Sequence, residues 1–256
     1  MRRLRVIPAL LIQKDGLVKS VRFKDHKYVG DPINAVRIFN EKEVDEIVLL
    51  DISATAERRA PDIPRIREIA SEAFMPLAYG GGITTLAEIR ELITAGVEKV
   101  VLNTAAFENP ALVAEGAKYV GSQSIVVSID VKRNLWGKYK VHIRNGSKAT
   151  GLDPADYARR MEEAGAGELL LNSIDRDGTF TGYDTDLIGL VSSAVGIPVV
   201  AIGGASDVKD FLPAVQHGAS AVSAGSLFVF QGPHRAVLIS YPTQAVLKER
   251  LFSQVY

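Results

Sequence analysis

The 256-residue sequence predicts a closed α/β barrel of the (βα)8 type built from two similar half-barrels, and three observations carry that expectation. Eight short apolar runs alternate with longer segments of helical period, the pattern of a parallel sheet with crossover helices. Eight such pairs in about 250 residues match the size of a closed barrel. Several positions also recur at one offset of 122 residues: Glu46 with Glu168, Gly81-Gly82 with Gly203-Gly204, and Thr104 with Ser226. An open doubly wound sheet, the competing arrangement, has no reason to repeat at half its length.

Taken in order, the strands are expected at residues 5–11, 46–51, 75–79, 99–103, 124–130, 168–172, 198–202 and 219–224. Each is short and apolar, as strands buried on both faces are. Residues 85–95 and 154–164 read as amphipathic helices, the second capped by Asp153 with Pro154 at its first position. No linker or low-complexity stretch interrupts the alternation, so residues 1–256 are expected to form one domain. A hydrophobic content of 47% is enough for a full core.

Lys plus Arg and Asp plus Glu each number 30, so the chain lacks the basic excess that draws proteins to nucleic acid or anionic membranes. A small molecule is the expected partner. The absence of cysteine removes disulfides, thiolate metal sites and a Cys nucleophile. His26, His142, His217 and His234 show no ligand spacing, so neither a metal nor a cofactor is expected. The N-terminus from Met1 to Leu11, basic and then apolar, is too short for a signal peptide, and no stretch approaches a membrane span. A cytoplasmic location follows.

Two glycine words end strands in the two halves, Gly80-Gly81-Gly82 and Gly203-Gly204. A missing Cβ there lets backbone N–H groups approach a ligand oxygen. Asn103-Thr104 and Ala224-Gly225-Ser226 end the strands that follow, adding amide and hydroxyl donors ahead of a helix N-terminus that favours anions. Any one of these glycines alone reads equally well as a tight turn. Two symmetric copies point to two phosphate cradles and a ligand phosphorylated at both ends. Asp175-Arg176-Asp177-Gly178-Thr179 follows the sixth strand and is placed to close over such a ligand.

Asp130 ends the fifth strand behind an apolar run, poised as a general acid or base. Its counterpart at the end of the first strand is Leu11. Asp51 and Asp177 read either as further acid/base groups or as loop caps and solvated charges. Lys19, in a long first loop, either reaches a phosphate or is solvated. At the opposite mouth, Arg5, Glu46, Lys99 and Glu168 open their strands. They are either solvated strand ends or a salt-bridged ring that gates the interior.

These residues resemble the HisF family, the cyclase subunit of imidazole glycerol phosphate synthase. The resemblance runs from Arg5 to about Phe230 through Ile7-Pro8, Gly30-Asp31-Pro32, Tyr79-Gly80-Gly81-Gly82-Ile83, Asn103-Thr104-Ala105-Ala106, Gly121-Ser122-Gln123, Ser173-Ile174 with the Asp175–Thr179 word, and Gly203-Gly204-Ala205. It implies ammonia drawn from a HisH-like glutaminase at the N-terminal face and used on a doubly phosphorylated ribonucleotide at the top. It implies phosphate binding by Gly81, Gly82, Asn103, Thr104, Asp177, Gly178, Gly203, Gly204, Gly225 and Ser226. Arg5, Glu46, Lys99 and Glu168 match the family's ammonia gate, and Asp130 one catalytic carboxylate. The other catalytic carboxylate falls on Leu11, which cannot move a proton; such a loss costs about 10²-fold to 10⁴-fold in rate. Asp15, four residues further on, stands in only if the loop shifts by a turn.

The tail at 228–242 also departs from the family's usual polar final helix. With Leu11 it is similar to a HisF-like subgroup tied to acetamidino modification of surface sugars, which implies a sugar amidotransferase as a further partner. His234 and Arg235 read as a partner surface or as an exposed loop. Ammonia channelling for sugar amidination is therefore the leading expectation. The histidine-pathway cyclase, making imidazole glycerol phosphate and aminoimidazole carboxamide ribonucleotide, is the alternative. A binding scaffold or phosphosugar isomerase of the same fold is a third.

Overall fold

The computed structural model describes residues 4–232 and 234–255. Met1, Arg2, Arg3, Pro233 and Tyr256 lie outside the described residues; they include the start of the N-terminal run and one position of the tail.

Eight parallel strands close on themselves: β1 (Arg5–Gln13), β2 (Ile47–Asp51), β3 (Leu77–Gly80), β4 (Lys99–Leu102), β5 (Ile125–Arg133), β6 (Glu168–Ser173), β7 (Val199–Ile202) and β8 (Ala221–Ala224). Each pairs with its successor, and β8 returns to β1 with Arg5 beside Ala221. Helices pack outside: α1 (Pro32–Glu41), α2 (Ile63–Ser71), α3 (Leu86–Thr94), α4 (Ala111–Val120), α5 (Pro154–Glu163), α6 (Thr185–Ser192) and α7 (Phe211–Gln216). Their starts are written locally. Thr85 and Glu88 form a capping box on α3, and Asp153 accepts from the N–H groups of Ala155 and Asp156 with Pro154 at the first turn of α5.

Alternation along each strand produces two apolar shells. Outward residues meet the helices, where Phe39, Ile69, Leu92 and Leu251 are fully buried, each contributing ~1.5–3 kcal/mol. Inward residues Ile7, Ala9, Val48, Ala78, Val101, Val126, Leu170 and Val200 fill the barrel axis with small and branched side chains. Among the described residues no helix is long and apolar enough to cross a membrane.

Three features depart from the expected pattern. β1 and β5 run beyond their expected ends into antiparallel hairpins, β1 with Gly16–Val21 and then Lys24–Gly30, and β5 with Tyr139–Ile143. The first loop is thus a built hairpin, and Lys19 is a buried strand residue rather than a solvated one. The tail forms a short hairpin, Phe230–Gln231 with Ala236–Val237. Tyr241 then packs on Phe228 and donates its hydroxyl to the Val6 carbonyl at 2.9 Å, so the tail is fastened to β1.

Candidate functional site

At the carboxyl ends of the strands lies a cavity of about 360 Å³. Gly81, Gly82, Asn103, Thr104, Asp177, Gly178, Gly203, Gly204, Gly225 and Ser226 all line it, so one space gathers every residue expected to hold a phosphate. The glycine loops are under steric compulsion. Gly81 has φ +122°, and a Cβ there would run into the Asp51 carbonyl; a Cβ on Gly203, at φ +97°, would stand 2.8 Å from both the Asn172 amide oxygen and the Ser173 carbonyl. The two cradles are not identical: Asn103 stands at the repeat position of Gly225, and the Thr104 hydroxyl accepts from the Arg144 N–H at 3.0 Å.

Asp130 points into this cavity from β5. It accepts from Asn103 Nδ2 at 3.2 Å, while burial, reinforced by the nearby Asp177 carboxylate, pushes its carboxyl up to about 7. Burial also raises Asp177, against the hydroxyl of Ser20 and the charge of Lys19. Lys19 donates to the Ala9 carbonyl beneath Gly225, and burial lowers its amine to about 8 against the pull of Asp177. A carboxylic acid and an amine that both titrate near neutrality are suited to proton transfer.

The strand register fixes the counterpart of Asp130. Asp130 pairs with Asn172 on β6, and Leu11 pairs with Leu50 on β2. Leu50 and Asn172 are related by the same 122-residue offset. Leu11 therefore occupies the position equivalent to Asp130, and it lines the same cavity. Asp15 does not stand in for it: its side chain is 94% exposed, lies 3.7 Å from Arg65, and is outside the cavity wall. Asp51 is a loop cap, since it accepts from Ser53 and Ala54 N–H groups at 3.0 Å and pairs with Arg59. Sequence reasoning missed Asn172, which lines the cavity beside Asp130. Its repeat partner is a leucine, so the repeat carried no signal for it.

At the other end of the barrel the four charged strand openings form a closed cycle. Arg5 pairs with Glu46 and with Glu168, and Lys99 reaches Glu46 at 2.9 Å and Glu168 at 2.8 Å. Glu46 and Glu168 are only 3% and 5% exposed, which rules out solvated strand ends. Burial alone would raise Glu168, yet hydrogen bonds and charge from Arg5 and Lys99 hold it below the ordinary glutamate range. Ile7, Val48, Val126 and Leu170 lie between this ring and the upper cavity, so the axis runs from a charged ring through a packed apolar layer to a pocket lined by both polar and apolar groups.

Fold and site together define a duplicated (βα)8 barrel with a sealed lower mouth and an upper polar site. The chain matches the family described as Histidine biosynthesis protein over residues 5–234. It is 52% identical over 241 residues, 94% of this chain and 96% of the relative, to a putative imidazole glycerol phosphate synthase subunit hisF2 of Pseudomonas aeruginosa. It is 49% identical over 250 residues, 97% of this chain and 98% of the relative, to a putative subunit HisF of Leptospira interrogans. To the imidazole glycerol phosphate synthase subunit HisF of Alkaliphilus metalliredigens it is 45% identical over 225 residues, 88% and 89% of the two chains. The chain belongs to the HisF family. These relatives carry names that refer to imidazole glycerol phosphate synthase and not to sugar modification, so they favour the alternative expectation over the leading one.

Proposed function

We propose that this chain is the ammonia-using barrel subunit of an imidazole glycerol phosphate synthase, acting in the cytoplasm as one domain with a HisH-like glutaminase docked at its N-terminal face. The observation that carries this reading is the single axis joining the ring of Arg5, Glu46, Lys99 and Glu168 to a cavity flanked by two glycine cradles. A ligand phosphorylated at both ends, the ribulosyl aminoimidazole carboxamide ribonucleotide, would span the cradles with its reacting carbons over the barrel axis. Gly81, Gly82, Asn103 and Thr104 would hold one phosphate and Gly203, Gly204, Gly225 and Ser226 the other, with Asp177 and Gly178 closing the side. Asp130, its carboxyl lifted by burial to about 7, passes protons as ammonia adds, water leaves and the C–N bond to the aminoimidazole carboxamide ribonucleotide breaks, the released amine taking up a proton.

One observation favours a second reading. Leu11 stands at the position equivalent to Asp130, so the cavity has one proton-transfer carboxylate where the duplicated fold offers places for two. A barrel that keeps its gate but lacks that group suits delivery of ammonia to a sugar amidotransferase forming an acetamidino group. Turnover of the ribonucleotide with saturating ammonium salt, which bypasses the glutaminase, separates the two. Wild-type turnover of about 1 per second or more supports the synthase. An inactive wild type with activity restored by Leu11→Asp supports delivery.

A further inference from the structure

The chain carries no net charge, yet between Asp130 and Asp153 it places Lys132, Arg133, Lys138, Lys140, Arg144 and Lys148 and not one acidic residue. All six lie on or beside the hairpin that β5 makes with Tyr139–Ile143 at the upper rim. Lys132 and Lys140 stand directly opposite each other in that pairing, an arrangement that destabilises a sheet. Arg133 finds Asp184 and the exposed Asp186, and Arg144 finds Glu108. The four lysines make no ion pair among the described residues. Lys132, Lys138 and Lys140 stand on or next to the 134–138 turn, so these unmatched cations concentrate positive potential at that tip, with Lys148 nearer the hairpin's base.

That tip is also apolar. Leu135 is 98% exposed and Trp136, the chain's only tryptophan, 82% exposed. Their display is built rather than loose. Asn134 Oδ1 accepts from the N–H groups of Trp136 and Lys138, both at 3.0 Å, and Gly137 turns the chain at φ +74°. Arg133 stacks over Tyr139, whose hydroxyl donates to Asp184 at 2.6 Å, so the hairpin is tied to the barrel. Two side chains, however exposed, cover far less than the roughly 800 Å² per partner of a specific protein interface. An aromatic and a leucine ringed by lysines do match the boundary between lipid headgroups and acyl chains, where Trp is favoured and Lys stems reach phosphate.

We propose that this hairpin docks on an anionic lipid surface, with Leu135 and Trp136 entering the headgroup region and the surrounding lysines engaging its phosphates. The zero net charge that argued against a membrane partner conceals a local excess. The proposal stands independently of the reaction carried out in the barrel.

The single tryptophan makes the test direct. Full-length protein is floated with vesicles of phosphatidylcholine alone or with about 30 mol % phosphatidylglycerol, and Trp136 emission is recorded with and without brominated lipid. Expected are at least about tenfold more protein floating with the anionic vesicles, a blue-shifted emission quenched by brominated chains, and loss of binding near 0.5 M salt, where charges are screened within about 4 Å. Leu135→Ser is expected to weaken flotation and quenching, and Trp136→Ser to weaken flotation, with unchanged Tm in both. Absence of flotation at low salt overturns the proposal. So does flotation without blue shift or quenching, which marks a surface suited to an acidic protein or nucleic acid instead.

Discussion

Removing one carboxylate from the lower ring tests whether its four charges hold one another. Glu168 is buried and receives both Arg5 and Lys99; in Glu168→Gln those two cations share Glu46 alone. Breaking a buried pair by deleting one partner costs about 3–5 kcal/mol. Arg5 and Lys99 keep side-chain exposures of 24% and 19%, so solvent takes up part of the loss and ~2–4 kcal/mol is the expectation. For a domain of this size each kcal/mol moves Tm by about 2–4 °C, giving a fall of about 5–15 °C at pH 7. The pH dependence has a definite sign. Glu168 is held below its ordinary value in the fold, so its contribution is complete above about pH 4.3 and fades as pH drops through the folded value. Circular-dichroism melts of wild type and Glu168→Gln at pH 7 and in acid measure both effects. A Tm within about 2 °C of wild type at pH 7, or a gap that stays constant in acid, would refute the closed ring.

Asp130→Asn should lower ammonium-dependent turnover by about 10²-fold to 10⁴-fold. The same substitution should raise Tm at pH 8: the Asp130 carboxyl is lifted to about 7, so its proton is held more tightly in the fold, and the wild type loses stability as pH rises towards 7. Melts at pH 5 and pH 8 give the comparison. Gly81→Ala should close one cradle, since the added methyl meets the Asp51 carbonyl in a conformation that L residues rarely adopt. Calorimetric titration with the doubly phosphorylated ribonucleotide should show weakened binding, while Gly137→Ala, at a turn with open space around it, leaves binding unchanged.

What could be read without coordinates follows from how each element is buried. The eight strands are legible because a parallel barrel strand is apolar on both faces; Val199–Ile202 and Ala221–Ala224 lie within their expected bounds. Closure was legible from the 122-residue repeat, while the charged residues opening apolar runs left open whether they were solvated or paired until the structure joined them in a ring. The hairpins were not legible. Lys24–Gly30 is exposed over most of its length, and Tyr139–Ile143 alternates half-buried Lys and His with buried Val and Ile, so neither has an apolar run to betray it. The burial of Lys19 depends on a strand folding back over the Ala9 carbonyl, a contact ten residues apart that no local pattern marks.

The duplication is imperfect where it matters. Two glycine cradles related by a pseudo-twofold axis differ only at their edges, in Asn103 against Gly225 and in the Thr104 contact with Arg144, and so give little means to tell one end of a doubly anionic ligand from the other. The walls between them differ far more. On one side Asp130 and Asn172 present hydrogen-bonding groups, and on the other Leu11 and Leu50 present hydrocarbon. A molecule with a polar flank and an apolar flank therefore has one preferred heading in the cavity and one that buries its polar groups against leucine. Divergence of the two halves converts a symmetric receptacle into a directional one.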